Sequence, residues 1–331
     1  MQSFVMRETE LEQDYDTQIK GFWHNQVQTG RFKSTDNTDI AYAFVPQENA
    51  IGTVVISSGR IEGYLKYKEL VFELYQNHYA VFILDHRGQG LSARMTQNQQ
   101  QGYVEDFDDY VQDLKVFYER VVMPNSRHQP MLLGHSMGGA IGTLYLCRYP
   151  QDFCRAVFTA PMYGIRMPLP TWTVKVLLKV GLALNACVAS RPWYFPGQTD
   201  YLPIPFAINP LTHSKLRYRL FRQEYEMHPQ LKLGGVTFNW LKAAISALEK
   251  LLSQAPTIET EILILQAGGD QIINNAAQDH LCAIMPNCRL IPIAGARHEL
   301  LMEADQYRQP VMEAILNFLA QAAPQTQGPD G

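Results

Sequence analysis

A serine hydroxyl is a poor nucleophile at neutral pH. It attacks an acyl carbon when a base takes its proton and an acid orients that base. Gly134–His135–Ser136–Met137–Gly138, followed by Gly139, offers such a serine. This G-x-S-x-G run lies between an apolar, strand-like stretch at 131–133 and a helix-patterned stretch at 137–148. That context predicts a nucleophile elbow, a strained turn whose flanking small residues let strand and helix approach. The Ser136 oxygen would then stand above a sheet at a helix N-terminus, where developing negative charge is favoured. A chance glycine-rich turn is the plain alternative, and the flanking elements argue against it.

In this arrangement the chain order is Ser, then an acid, then His. Of the nine histidines, His213 and His228 fall in an irregular segment and His280 inside a predicted helix. His298, in Gly295–Ala296–Arg297–His298, follows the last predicted strand at 289–293, where a base can reach the elbow. The preceding strand, 262–266, runs into Ala267–Gly268–Gly269–Asp270, whose glycines permit the sharp turn that aims Asp270 at His298. Asp279 competes but is predicted helical; Glu299 and Glu303, beside and after the histidine, read as surface charges. The tetrahedral intermediate needs two oxyanion donors. The N–H groups of Met137 and of Arg60, in the loop Ser58–Gly59–Arg60–Ile61–Glu62, are the expected pair. The Arg60 side chain also offers a cation to an anionic substrate, a surface ion pair with Glu62 being its plain alternative. Asp85–His86–Arg87–Gly88–Gln89–Gly90–Leu91–Ser92 reads as a loop bracing the site: Asp85 and His86 lack a further ligand at suitable spacing, so no metal is expected.

Strands at 53–57, 80–84, 131–133, 156–159, 262–266 and 289–293 alternate with helical stretches. This predicts a mostly parallel sheet with helices on both faces, and a hairpin (30–35, 40–45) adding antiparallel strands at one edge. Ligands then bind beyond the carboxyl ends of the strands. The expected layout is a polar N-terminal segment (1–30), a core of 31–160 with 236–323, an inserted, mainly helical lid (161–235) and a disordered tail (324–331). In the lid, residues 171–190 read as an amphipathic helix with Lys175 and Lys179 on one side, too interrupted to span a membrane. The run Lys215–Leu216–Arg217–Tyr218–Arg219, with Arg222, is basic within a chain of net charge −4. Arg217 and Arg219, with Arg60, are its candidate substrate contacts; a solvated helix face is the plain reading. Apolar residues make up 46% and charged residues 18%, so a sizeable core is expected and nucleic acid is not a predicted partner. The five cysteines are odd in number with no CxxC pair, and read as reduced thiols. The N-terminus lacks the apolar stretch of a secretory signal, which predicts a cytoplasmic protein.

DHRGQGLS at 85–92, GHSMGG at 134–139, GGD at 268–270 and ARHE at 296–299 resemble the monoglyceride-lipase and lysophospholipase branch of the α/β hydrolases. SGRIEGYLKY at 58–67, TAPMYGIRMP at 159–168, PFAINPLTHSKLRYRL at 205–220 and GGVTFNW at 234–240 are similar to its bacterial lysophospholipases. Many members carry His-Gly where this chain has Ser58–Gly59. The resemblance implies the α/β-hydrolase fold and hydrolysis of the fatty-acyl ester of a lysophospholipid at the cytoplasmic face of a bacterial inner membrane, without a cofactor. Its alternatives are a monoacylglycerol lipase or another carboxylesterase or thioesterase, and, from another class, an inactive α/β-hydrolase scaffold that binds without catalysis. Dehalogenase and epoxide hydrolase chemistry need an aspartate where Ser136 stands.

Overall fold

The computed structural model describes residues 3–167, 169–188 and 191–321. The expected disorder at 324–331 and the last two residues of the 171–190 stretch lie outside them. One sheet holds eight strands in the order β1-β2-β4-β3-β5-β6-β7-β8. They are β1 (Gln28–Lys33), β2 (Asp39–Val45), β3 (Gly52–Ser57), β4 (Tyr79–Leu84), β5 (Met131–His135), β6 (Arg155–Thr159), β7 (Glu261–Ala267) and β8 (Cys288–Ile293). β1 and β2 pair antiparallel, as do β2 and β4. All later pairings are parallel. This is the fold the strand–helix alternation predicts, the hairpin lying at the edge.

The apolar runs in β3 to β7 are continuous because both faces are covered. Successive residues alternate between them: Val55 and Phe82 join one core cluster, Val54, Ile56, Val81 and Ile83 the other. Helices Phe107–Phe117, Met137–Arg148 and Phe238–Gln254 supply the first with Leu114, Ile141 and Ala244. Helices Lys68–Gln76 and Asp305–Ala320 supply the second with Leu74 and Ile315.

Residues 3–30 carry more structure than their polarity predicts. Helices Glu8–Asp14 and Lys20–Gln26 flank a π-helical turn, Tyr15–Ile19. Leu11, Tyr15 and Ile19 recur every fourth residue and pack on Met6 and Phe72. The cysteine reading also needs correction. Cys282 and Cys288, six residues apart, form a disulfide, while Cys147, Cys154 and Cys187 are free. The helix Asn275–Ile284 ends at Met285 and the chain doubles straight back into β8, which brings the two Cα atoms to 5.3 Å. An odd total says nothing about such a local pair.

The connection between β6 and β7 holds helices Thr171–Val188 and Lys215–Met227 before Phe238–Gln254. Among the described residues no helix is long and apolar enough to cross a membrane.

Candidate active site

Ser136 sits between β5 and the helix Met137–Arg148 with φ 50° and ψ −115°. A non-glycine residue there stores strain of about 1–3 kcal/mol, so its surroundings must hold it. Its N–H donates to the Thr159 carbonyl at 3.0 Å, and its own carbonyl accepts from Met162 at 2.9 Å. Gly138 is needed for close approach: a Cβ there would stand 2.0 Å from the Ser57 carbonyl oxygen.

Asp270 follows β7 and His298 follows β8, both at carboxyl ends. The Asp270 Oδ1 accepts from the N–H groups of Ile272 (2.7 Å) and Ile273 (3.0 Å). Its Oδ2 faces His298 Nδ1 at 2.7 Å, and His298 Nε2 lies 2.9 Å from Ser136 Oγ. A carboxylate only accepts, so Nδ1 carries the proton and Nε2 is left to accept from the serine. Burial opposes the Asp270 charge, yet the His298 ring and the two N–H groups outweigh it and hold its pKa below the ordinary value. The structure thus brings together the three residues singled out by chain order.

The N–H groups of Met137 and Arg60 donate to no acceptor among the described residues. Gln89, from the run 85–92, holds the Arg60 loop in place. Its Nε2 donates to the carbonyls of Gly59 (2.7 Å) and Glu62 (2.9 Å), and its Oε1 accepts from Ile61 at 3.2 Å. Asp85 accepts from Tyr64 and Leu91, each at 2.6 Å, and burial pushes its pKa up to about 7. The bracing expected of this loop is done by hydrogen bonds.

Three expectations about acids need correction. Glu299 and Glu303 are buried, not surface charges, and Glu62 is buried and pairs with Lys66 rather than Arg60. The Lys66 ammonium also bonds Glu299 at 2.7 Å. Burial alone would penalise the Glu299 charge, but Lys66 and His135 outweigh it and drive its pKa well below the ordinary value. His135 lies 3.4 Å from Glu299, which holds the imidazole pKa above its usual value against the cost of burial. Ligand atoms of Glu62, His135 and Glu299 come within 4.8 Å of one another, close enough for a metal, but Lys66 already bonds both carboxylates. Glu303 accepts from the N–H groups of Arg297 and His213, each at 2.8 Å. This ties the His298 loop to the β6–β7 connection.

Of the basic run, Arg217 is not a substrate contact. It is fully buried and donates to Glu69 (2.9 Å), Asp305 (2.9 Å) and the Glu303 carbonyl (2.7 Å). Arg219 points away from the cavity and pairs with Glu12 at 3.0 Å. Both sit on helix Lys215–Met227, whose turn selects which residues face inward. Arg222 and Arg60 do face a cavity of about 520 Å³ that Ser136 and His298 open into.

The model of the family described as Serine aminopeptidase, S33 (Hydrolase_4) matches residues 48–305. The chain belongs to this family. It is 36% identical over 307 residues to lysophospholipase L2 of Escherichia coli (strain K12), covering 91% of this chain and 89% of the relative. It is 25% identical to human monoglyceride lipase over 294 residues, 86% of this chain and 89% of the relative. Among solved structures, a soluble variant of Saccharomyces cerevisiae monoglyceride lipase in complex with a substrate analogue superposes with a TM-score of 0.70. That match is 20% identical and covers 90% of this chain and 96% of the other, so it speaks to fold alone. With these relatives the chain is an ester hydrolase of the α/β-hydrolase fold.

The functional neighbours that sequence reasoning missed are Glu62, Lys66, His135 and Glu299. His135 stood inside the elbow motif, and Glu62 and Lys66 stand one helical turn apart. No local pattern says that such residues share one buried spot with Glu299.

Proposed function

We propose that this hydrolase cleaves the single fatty-acyl ester of a lysophospholipid, giving a free fatty acid and a glycerophosphodiester. The observation that carries it is the Ser136–His298–Asp270 hydrogen-bonded chain on the floor of a cavity walled by Leu202, Ile204, Leu211, Phe221 and Leu233. An acyl tail fits such walls. Ser136 Oγ gives its proton to His298 Nε2 and attacks the ester carbon. The oxyanion is held by the N–H groups of Met137 and Arg60. His298 then protonates the leaving glycerol oxygen, and Asp270 stabilises the imidazolium between the two transfers. Water, deprotonated by the same histidine, releases the fatty acid from Ser136. Kinship with lysophospholipase L2 supports the substrate; kinship with monoglyceride lipases makes monoacylglycerol the second reading.

The β6–β7 connection acts as the lid in this reading. Helix Thr171–Val188 packs Val174 and Leu178 inward on Phe238 and Leu241. Trp172, Val176, Val180, Leu184 and Val188 recur every fourth residue and face outward, Trp172 with 70% of its surface exposed. This stripe, with Lys175 and Lys179 beside it, suits an anionic lipid surface. The test is a panel of esters with one acyl chain. Lysophospholipid should give the highest kcat/KM, above monoacylglycerol and an acyl thioester. No lysophospholipid turnover beside brisk monoacylglycerol turnover would overturn the substrate. No labelling of Ser136 by a fluorophosphonate would overturn the enzyme mechanism.

A further inference from the structure

Arg222 and Arg60 line the cavity over Ser136 and make no ion pair among the described residues. A guanidinium carries five donors. The Arg60 guanidinium donates from Nη1 to the Gly234 carbonyl at 3.1 Å and lies over the Trp240 ring at 5.6 Å. Burial pushes its pKa down to about 10, with no carboxylate near enough to offset it. Arg222 lies over the ring of Tyr201 at 5.1 Å. The Tyr201 side chain also lines this cavity, and its hydroxyl is buried with no hydrogen-bond partner among the described residues. The other charges nearby are spoken for. Glu226, one turn beyond Arg222, is taken by Lys232 at 2.7 Å. Glu62 and Glu299 share Lys66, and Asp200 accepts from Asn98 at 2.8 Å and from Tyr194.

A buried hydroxyl without a partner is destabilising, and a cation partly withdrawn from water without an anion is too, unless a ligand satisfies them. An acyl chain cannot. An oxyanion with several acceptor atoms can. In a lysophospholipid only the glycerol unit separates the ester from the phosphate, so a substrate with its ester at Ser136 places its phosphate within the same cavity.

We propose that Arg222, the Tyr201 hydroxyl and the Arg60 guanidinium form a phosphate subsite that selects a phosphate diester head group. This rests on the lysophospholipid reading and names the residues that enforce it. Arg60 then joins two tasks in one loop, its N–H serving the oxyanion and its side chain the head group.

The experiment compares lysophospholipid with monoacylglycerol of the same acyl chain for wild type, R222Q, R222K and Y201F. A charge-assisted bond is lost in R222Q, so the ratio of kcat/KM values, lysophospholipid over monoacylglycerol, should fall roughly ten- to a hundredfold. The loss should sit in KM. R222K should recover part of it, and Y201F should lower the ratio severalfold. Inorganic phosphate, tested as an inhibitor of a neutral short-chain ester, separates a head-group site from a free-anion site. If R222Q relieves phosphate inhibition while the ratio stays put, the site takes free anion and the proposal fails. An unchanged ratio in both R222Q and Y201F also overturns it. Wild type that turns over monoacylglycerol but no lysophospholipid would sink the substrate reading itself, a different result.

Discussion

Two pairs of arginines stand in this hydrolase under opposite conditions. At the joint of the N-terminal segment, helix Lys68–Gln76 and helix Asp305–Ala320, Arg217 and Arg308 are surrounded by acids. Arg308 meets Glu73 at 2.6 Å and Glu69 at 3.4 Å, and Arg217 meets Glu69 and Asp305, each at 2.9 Å. In the cavity over Ser136, Arg60 and Arg222 meet no acid among the described residues. The elbow repeats the contrast: the Met137 N–H, like that of Arg60, has no acceptor among the described residues. Where every valence is closed, the charge holds chain segments together. Where valences stay open, the fold keeps room for something it does not contain.

The sharpest way to break that contrast is to remove the open chemistry itself. Ser136→Ala, His298→Ala and Asp270→Asn should each lower kcat by roughly three to six orders of magnitude. Their melting temperatures should stay near that of wild type. A double variant should be little worse than Ser136→Ala, because the three act as a unit. Near-normal turnover by His298→Ala, in a sample free of contaminating esterase, would remove His298 as the base.

The closed joint should respond in the opposite currency. Arg217→Met leaves buried carboxylates short of a partner, and breaking a buried pair costs about 3–5 kcal/mol. Urea unfolding should register that loss. Turnover per titratable Ser136 should fall far less than in the catalytic variants. A variant as stable as wild type but devoid of activity would return Arg217 to the substrate site from which its burial excludes it.

The same contrast explains what could be read from the chain. Ser136, Asp270 and His298 were legible because each follows a strand whose apolar run is visible, and because elbow, glycines and chain order point to one another. The sheet was legible for the same reason. Arg217, Arg219 and Arg222 were not separable, since a basic run looks uniform until the helix turns one residue into the core, one to solvent and one into the cavity. Glu299 and Glu303 looked like surface charges because their partners, Lys66, His135 and His213, lie far away in sequence. The N-terminal helices were hidden by charge, although the spacing of Leu11, Tyr15 and Ile19 already marked one apolar face.

The smallest expected effect concerns the outermost charges, where the closed-or-open distinction is weakest. Lys175 meets Glu249 at 2.8 Å, but both side chains are more than half exposed, and such pairs contribute little. The two lysines stand on the same outward face as Trp172, Val176 and Val180. If that face rests on anionic lipid, each lysine near the surface contributes about 1 kcal/mol, a term that salt screens. Replacing both with glutamine should therefore weaken sedimentation with anionic vesicles by roughly tenfold or more at low ionic strength. Replacing both with glutamate should weaken it further, and the difference from wild type should shrink as salt rises. Hydrolysis of a short, water-soluble ester should hardly change, because neither lysine lines the cavity over Ser136. Neutral vesicles separate the two forces: a Trp172→Ala change should reduce binding there, where the lysines have nothing to attract. Vesicle binding that ignores both lysine pairs at low salt would make this helix a cover for the cavity and nothing more, and would move the membrane contact to another face.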